Sequence, residues 1–136
     1  MTPVFADTFY WYALTNPRDQ WHLYVLEARV RIGKTPIITT DEVLIEFASA
    51  MASDGNLRTA AALLIDTILI DPGITVIPQT RGSFATGLEL YRERPDKKYS
   101  LVDCISMSIC RTVGITEVLT NDHHFEQEGF TVLIKR

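Results

Sequence analysis

Ser100-Leu101-Val102-Asp103-Cys104-Ile105-Ser106-Met107-Ser108-Ile109-Cys110-Arg111-Thr112-Val113-Gly114-Ile115-Thr116-Glu117-Val118-Leu119-Thr120-Asn121-Asp122 is the stretch whose reading decides the fold. Ser100–Val113 has helical periodicity but is apolar almost all round: Leu101, Val102, Ile105 and Ile109 lie on one side, Met107 and Cys110 towards the other. Such a helix is buried. Ser100 and Asp103 have the spacing of a capping box, and Gly114 ends the helix. Glu117–Thr120 then reads as a short strand with Asp122 just beyond its C-terminal end. A buried helix feeding straight into a strand belongs to a parallel sheet covered on both faces.

The same alternation runs outward along the chain. Strand-like runs occur at Val4–Asp7, Pro36–Thr39, Thr75–Ile77, Glu117–Thr120 and Thr131–Ile134. Helical periodicity covers Phe9–Thr15, Arg18–Arg31, Asp41–Ser53, Asn56–Ile70 and Thr80–Arg94, with a short helical turn near His123–Glu128. Gly33, Gly55, Pro72-Gly73, Pro95 and Gly114 fall at the junctions. The expectation is one α/β domain spanning residues 1–136, with a parallel sheet of about five strands flanked by helices. With 46% apolar and 22% charged residues, the 136-residue chain supports one ordinary core. The longest apolar stretch, Ala60–Ile70, is broken by Asp66, and the N-terminus lacks the pattern of a signal peptide. A cytoplasmic protein without a membrane segment is expected. Cys104 and Cys110, six apart on one helix, suit neither a disulfide nor a zinc motif and read as small buried groups.

Four acids stand out. Asp7 and Asp122 end strand-like runs, Asp103 is the only charge on the apolar helix before Arg111, and Glu46 borders the apolar stripe Val43, Leu44, Phe47 and Met51. Glu42, one turn earlier, lies further towards solvent by the same geometry. At the C-terminal edge of an open α/β sheet, where ligands bind, these carboxylates would converge. At about 6 Å spacing and an effective dielectric near 20, each pair repels by roughly 3 kcal/mol. Six such pairs, on the order of 17 kcal/mol, rival the ~5–15 kcal/mol that holds a domain together. Divalent cations or shared protons must relieve that repulsion. Hard ions such as Mg²⁺ take a few carboxylates together with phosphate oxygens, so phosphodiester chemistry follows.

Each acid also has an ordinary reading: Asp7 and Asp122 as caps, Asp103 in a capping box, Glu46 as a half-exposed surface group. A non-catalytic binding module is therefore the alternative to an enzyme. A phosphoacceptor of the response-regulator sort is a weaker third reading, because no lysine follows a late strand except the nearly terminal Lys135. A net charge of −4 and a pI near 5.3 argue against nucleic-acid binding through a broad basic surface. The run Tyr91–Tyr99 nevertheless gathers Arg92, Arg94, Lys97 and Lys98, which suit a phosphate backbone. His123-His124 reads as a solvent-facing pair rather than as ligands. Trp11, Tyr12, Trp21 and Tyr24 read first as core and next as a partner surface. No Gly-rich phosphate loop and no Gly-x-Ser-x-Gly elbow is present.

Asp7-Thr8, the segment Thr40–Glu46, Ser100-Leu101-Val102-Asp103, and Leu119–Phe125 leading to Gly129-Phe130 together resemble PIN-domain ribonucleases, with VapC-like toxins the nearest kind. The resemblance spans the chain in order. It implies a three-layer sandwich and a metal-dependent endoribonuclease in which Asp7, Glu46, Asp103 and Asp122 bind Mg²⁺ or Mn²⁺. Thr8, Ser100 and Asn121 would give polar support, with Glu42 as the alternative to Glu46. It also implies an RNA substrate, a homodimer and a small protein antitoxin. The aromatic N-terminal helices or the apolar helix near Ala60–Ile70 would supply the interaction surface.

Overall fold

The computed structural model describes residues 1–136 throughout. Five strands, β1 (Val4–Ala6), β2 (Ile37–Thr40), β3 (Ile74–Ile77), β4 (Glu117–Leu119) and β5 (Thr131–Val132), form one sheet in the order β3-β2-β1-β4-β5, and every pair is parallel. Seven helices connect and cover them: α1 (Thr8–Thr15), α2 (His22–Ile32), α3 (Asp41–Ala50), α4 (Gly55–Ile70), α5 (Arg81–Glu93), α6 (Leu101–Val113) and α7 (His123–Gln127). Strand order reverses at β1: the chain winds outward through β2 and β3, then returns to β1's other side with β4. That reversal makes the C-terminal end of β1 the topological switch point, where an open parallel sheet leaves a crevice. No helix is long and apolar enough to cross a membrane.

The core is built around the fully buried Phe5, Tyr10, Trp11, Phe47, Phe125 and Met107. Tyr10 and Trp11 therefore belong to the interior, and the Trp11 indole N–H donates to Thr39 Oγ1 at 3.3 Å. Helix α6 is the most enclosed, with Cys104, Ile105, Ser106, Met107, Ile109 and Cys110 all buried. It lies against α5 so closely that a Cβ added at Gly87 would sit 2.9 Å from the Ile105 Cα. Gly114 then takes the left-handed conformation, φ 77°, that lets the chain leave α6 and enter β4.

Three element boundaries differ from the sequence reading by more than one residue, two of them through a local polar contact. Helix α2 starts at His22, not Arg18, because the Asp19 carboxylate accepts the Trp21 N–H at 2.7 Å and holds a turn there. Helix α3 stops at Ala50, not Ser53, and Asp54 caps the next helix by accepting from the N–H groups of Asn56 and Leu57. Strand β5 is two residues long, although Leu133 N–H to Val118 O and Ile134 N–H to Thr120 O carry the pairing further.

Candidate active site

The register Ala6↔Leu119 brings the next residues of β1 and β4, Asp7 and Thr120, side by side. The Thr120 hydroxyl donates to Asp7 Oδ2 at 3.1 Å and accepts the Asp122 N–H at 3.0 Å, so one side chain ties the first acid to the last. Asp7 is 4% exposed. It occupies the N-cap position of α1 but makes no capping hydrogen bond, which removes its ordinary explanation. Burial, reinforced by the Asp103 charge, pushes its carboxyl up to about 7.

Asp103 enters from the first turn of α6. Its Oδ2 accepts the Ser100 N–H at 3.0 Å while the Ser100 hydroxyl accepts the Asp103 N–H, completing the capping box. Burial again raises the carboxyl, and the neighbouring Asp122 adds to the effect. Asp122 caps α7, accepting the His124 N–H at 2.9 Å. Both acids thus double as caps, and the helix N-termini stabilise their charges.

Thr8 donates to Glu46 Oε1 at 2.6 Å, so the residue after Asp7 holds Glu46 towards the same edge. Glu42 points elsewhere. Its Oε1 is sealed from water without a hydrogen-bond partner, in the wall of a cavity of about 370 Å³ shared with Gln79, Thr80, Arg81, Phe84 and Ile105. It is therefore less solvent-directed than the helical wheel indicates, because α5 and its leading loop cover it.

Thr120 and His124 are polar groups at the edge that the expected site set leaves out, whereas that set includes Asn121. Thr120 makes the contact with Asp7, whereas Asn121 turns away and donates to the Ile134 carbonyl at 2.6 Å, securing the end of the β5 pairing. The β1–β4 register is what separates them, since Ala6 opposite Leu119 sets Thr120 beside Asp7. His124 was read as solvent-facing. Its side chain is only 19% exposed, and its Nδ1 lies 3.4 Å from Asp103 Oδ2 and 3.3 Å from Asp122 Oδ1, off the hydrogen-bond direction. The Tyr99 ring, 5.4 Å away, packs beside it.

The basic segment is divided in its uses. Arg94 donates through Nε and Nη2 to Glu128 at 3.0 and 3.2 Å, so it is a structural cation rather than one free for a phosphate. Arg111 and the Tyr99 hydroxyl also donate to Glu128, each at 3.0 Å. Although burial opposes ionisation there, these donors hold the Glu128 carboxyl down at about 2. Arg92, Lys97 and Lys98 remain exposed around a cleft of about 440 Å³ whose wall includes Cys104, next to Asp103.

The donor set is the test of whether a divalent cation suits this edge. It is made of carboxylate oxygens, the donors that hard cations prefer, with an Asp7 that accepts ionisation only at a cost. A PIN domain family model matches residues 4–130. The chain belongs to the PIN-domain family. Among solved structures it is similar to VapC20 of Mycobacterium tuberculosis, a sarcin-ricin loop cleaving toxin, with a TM-score of 0.86 and 23% identity, over 94% of this chain and 96% of that one. At that identity the likeness shows the PIN fold alone. No curated protein matches. The five parallel strands flanked by helices are those of the PIN sandwich.

Proposed function

We propose that this PIN domain is a metal-dependent endoribonuclease, the toxin of a toxin–antitoxin pair. The observation that carries the reading is Asp7. It is a carboxylate with no capping role, held by Thr120 and raised by burial and then by the charge of Asp103, at the switch point of the sheet. Membership of the PIN family and the fold likeness to an RNA-cleaving toxin support the same reading.

Asp7, Asp103 and Asp122 would hold Mg²⁺ or Mn²⁺, with Glu46 as a further ligand or as the group that orients water. When bound, the ion would offset the carboxylate charges and polarise a phosphate oxygen. The chain's own part is positional. Thr8 fixes one oxygen of Glu46 and leaves the other to accept a proton from attacking water. Thr120 and the Ser100 N–H fix one oxygen each of Asp7 and Asp103. Arg92, Lys97 and Lys98 border the approach beside α6 and suit the RNA backbone. Leu63, Leu69 and Ile70 leave α4 with an exposed apolar side for a second copy or an antitoxin.

Purified protein is expected to cut structured RNA with Mg²⁺ or Mn²⁺, and Asp103→Asn to abolish the cutting. Cleavage that persists unchanged in excess EDTA overturns the proposal. The competing reading, a non-catalytic binding module, draws on the cap bonds that Asp103 and Asp122 make. For that module Mn²⁺ leaves the melting temperature where it was, whereas the nuclease melts higher.

A further inference from the structure

His124 Nδ1 is a buried nitrogen without a hydrogen-bond partner that faces two carboxylates. Such an atom calls for a partner between it and the oxygens: a shared proton, a water or a cation. His123 follows the same pattern from the outside, with its Nδ1 3.8 Å from Asp122 Oδ1 and its side chain 70% exposed. One donor atom from each of Asp122, His123 and His124 lies within 4.8 Å of the other two.

These separations match a particular coordination. Tetrahedral zinc bonded to nitrogen and oxygen at about 2.0–2.1 Å sets its ligands roughly 3.3 Å apart. Asp122 Oδ1 lies 3.3 Å from His124 Nδ1 and 3.8 Å from His123 Nδ1. The exposed His123 ring is free to close that remaining gap. Donor chemistry points the same way: imidazole nitrogens favour zinc and its neighbours in the Irving–Williams order over Mg²⁺. The Tyr99 ring, 5.4 Å away, packs against the His124 ring and limits its rotation.

We propose that Asp122, His123 and His124 form a zinc-type site that overlaps the carboxylate edge and takes Zn²⁺ in preference to Mg²⁺. The binding rests on this geometry alone. Its consequence rests on the ribonuclease reading: zinc withdraws Asp122 from the hard ion and so blocks RNA cleavage.

Calorimetric titration of the full chain with Zn²⁺ in excess Mg²⁺ tests the site, with Co²⁺ as a visible-absorption probe of its coordination. One Zn²⁺ per chain is expected, and His123→Ala weakens it by about tenfold or more, the scale on which zinc affinity responds to losses around a site. His22→Ala, which alters the remaining histidine on α2, leaves the affinity unchanged. Zinc displaced by Mg²⁺ at comparable concentration, or equal losses in the two variants, overturns the site. In cleavage assays Zn²⁺ inhibits the unaltered chain at lower concentration than it inhibits His123→Ala. If no RNA is cut under any condition, the ribonuclease reading fails while the titration still decides the zinc site.

Discussion

Replacing Asp7 by Asn is expected to stabilise the metal-free protein, and to do so only where Asp7 would be ionised. The carboxyl is raised from 3.8 to about 7, first by burial and then by Asp103. The folded state therefore binds this proton more tightly than the unfolded chain. Well below the unfolded value of 3.8 both states hold it and Asp7 costs nothing. As pH rises towards 7 the unfolded chain ionises first, so native stability falls, and above 7 the loss is constant. The full displacement corresponds to roughly 4 kcal/mol. An amide also loses charge-assisted hydrogen bonding, a cost of about 1–2 kcal/mol. The net gain at pH 8 is about 2–3 kcal/mol, turning to a small loss at pH 4. Urea titrations in EDTA across pH 4–8 measure it directly. Saturating Mn²⁺ must close the difference, because at 100 times its Kd a ligand stabilises the unaltered chain by about 2.7 kcal/mol. A penalty for Asp7→Asn of the same size at every pH would show that Asp7 is a structural hydrogen-bonding group, and the strained carboxylate edge would not exist.

Gly87→Ala is expected to destabilise by about 1–3 kcal/mol despite the better helix propensity of alanine, because the new methyl meets the Ile105 backbone and α6 must move. A thermal melt checks it, and a higher melting temperature would show that α5 and α6 are not in that contact. Glu128→Gln should cost about 1–2 kcal/mol at pH 7, after allowance for the partly exposed Arg94 and Arg111. Since Glu128 is held at about 2, its contribution is complete above pH 4.5 and lost as pH falls towards 2, so urea midpoints of the two proteins must converge on acidification. Thr120→Val removes the donor to Asp7 and the acceptor for Asp122 N–H, which predicts a loss of about 2 kcal/mol in chemical denaturation. Unchanged stability would place Asp7 and Asp122 outside any shared network.

The sheet was legible because its cues are local. The β-branched runs are short and bounded by glycine or proline, and β2, β3 and β4 are each followed by a helix with its own cap; likewise Ser100-x-x-Asp103 and Gly114 bracket α6 without knowledge of anything distant. The edge on which Asp7 and Asp122 fall follows from the same cues, because parallel strands put all their C-terminal ends together. What side chains do at that edge depends on partners far away in the chain. Arg94 looked available for phosphate because Glu128 lies 34 residues later, and Glu42 looked solvent-bound because nothing in α3 announces that α5 covers it. His124 was misjudged for a related reason: α7 is only five residues long, and its docking against α6 determines where the ring points.

The arrangement also explains how a small core tolerates several acids at one edge. Asp103 and Asp122 are each bonded to the N-terminal backbone of a helix, so much of the charge that would otherwise oppose folding is met by aligned N–H groups. Asp7 has no such cap bond and sits deeper than either, which is why the greatest strain collects on it rather than being shared equally. The same β1–β4 register that gives β1 its central place forces Asp7 beside Thr120, and a single hydroxyl offsets only part of the burial cost. Stability is thus spent at the one carboxylate where the sheet reverses its winding. A divalent cation there would return that stability, which couples folding to metal binding through Asp7 more strongly than through its two capped neighbours.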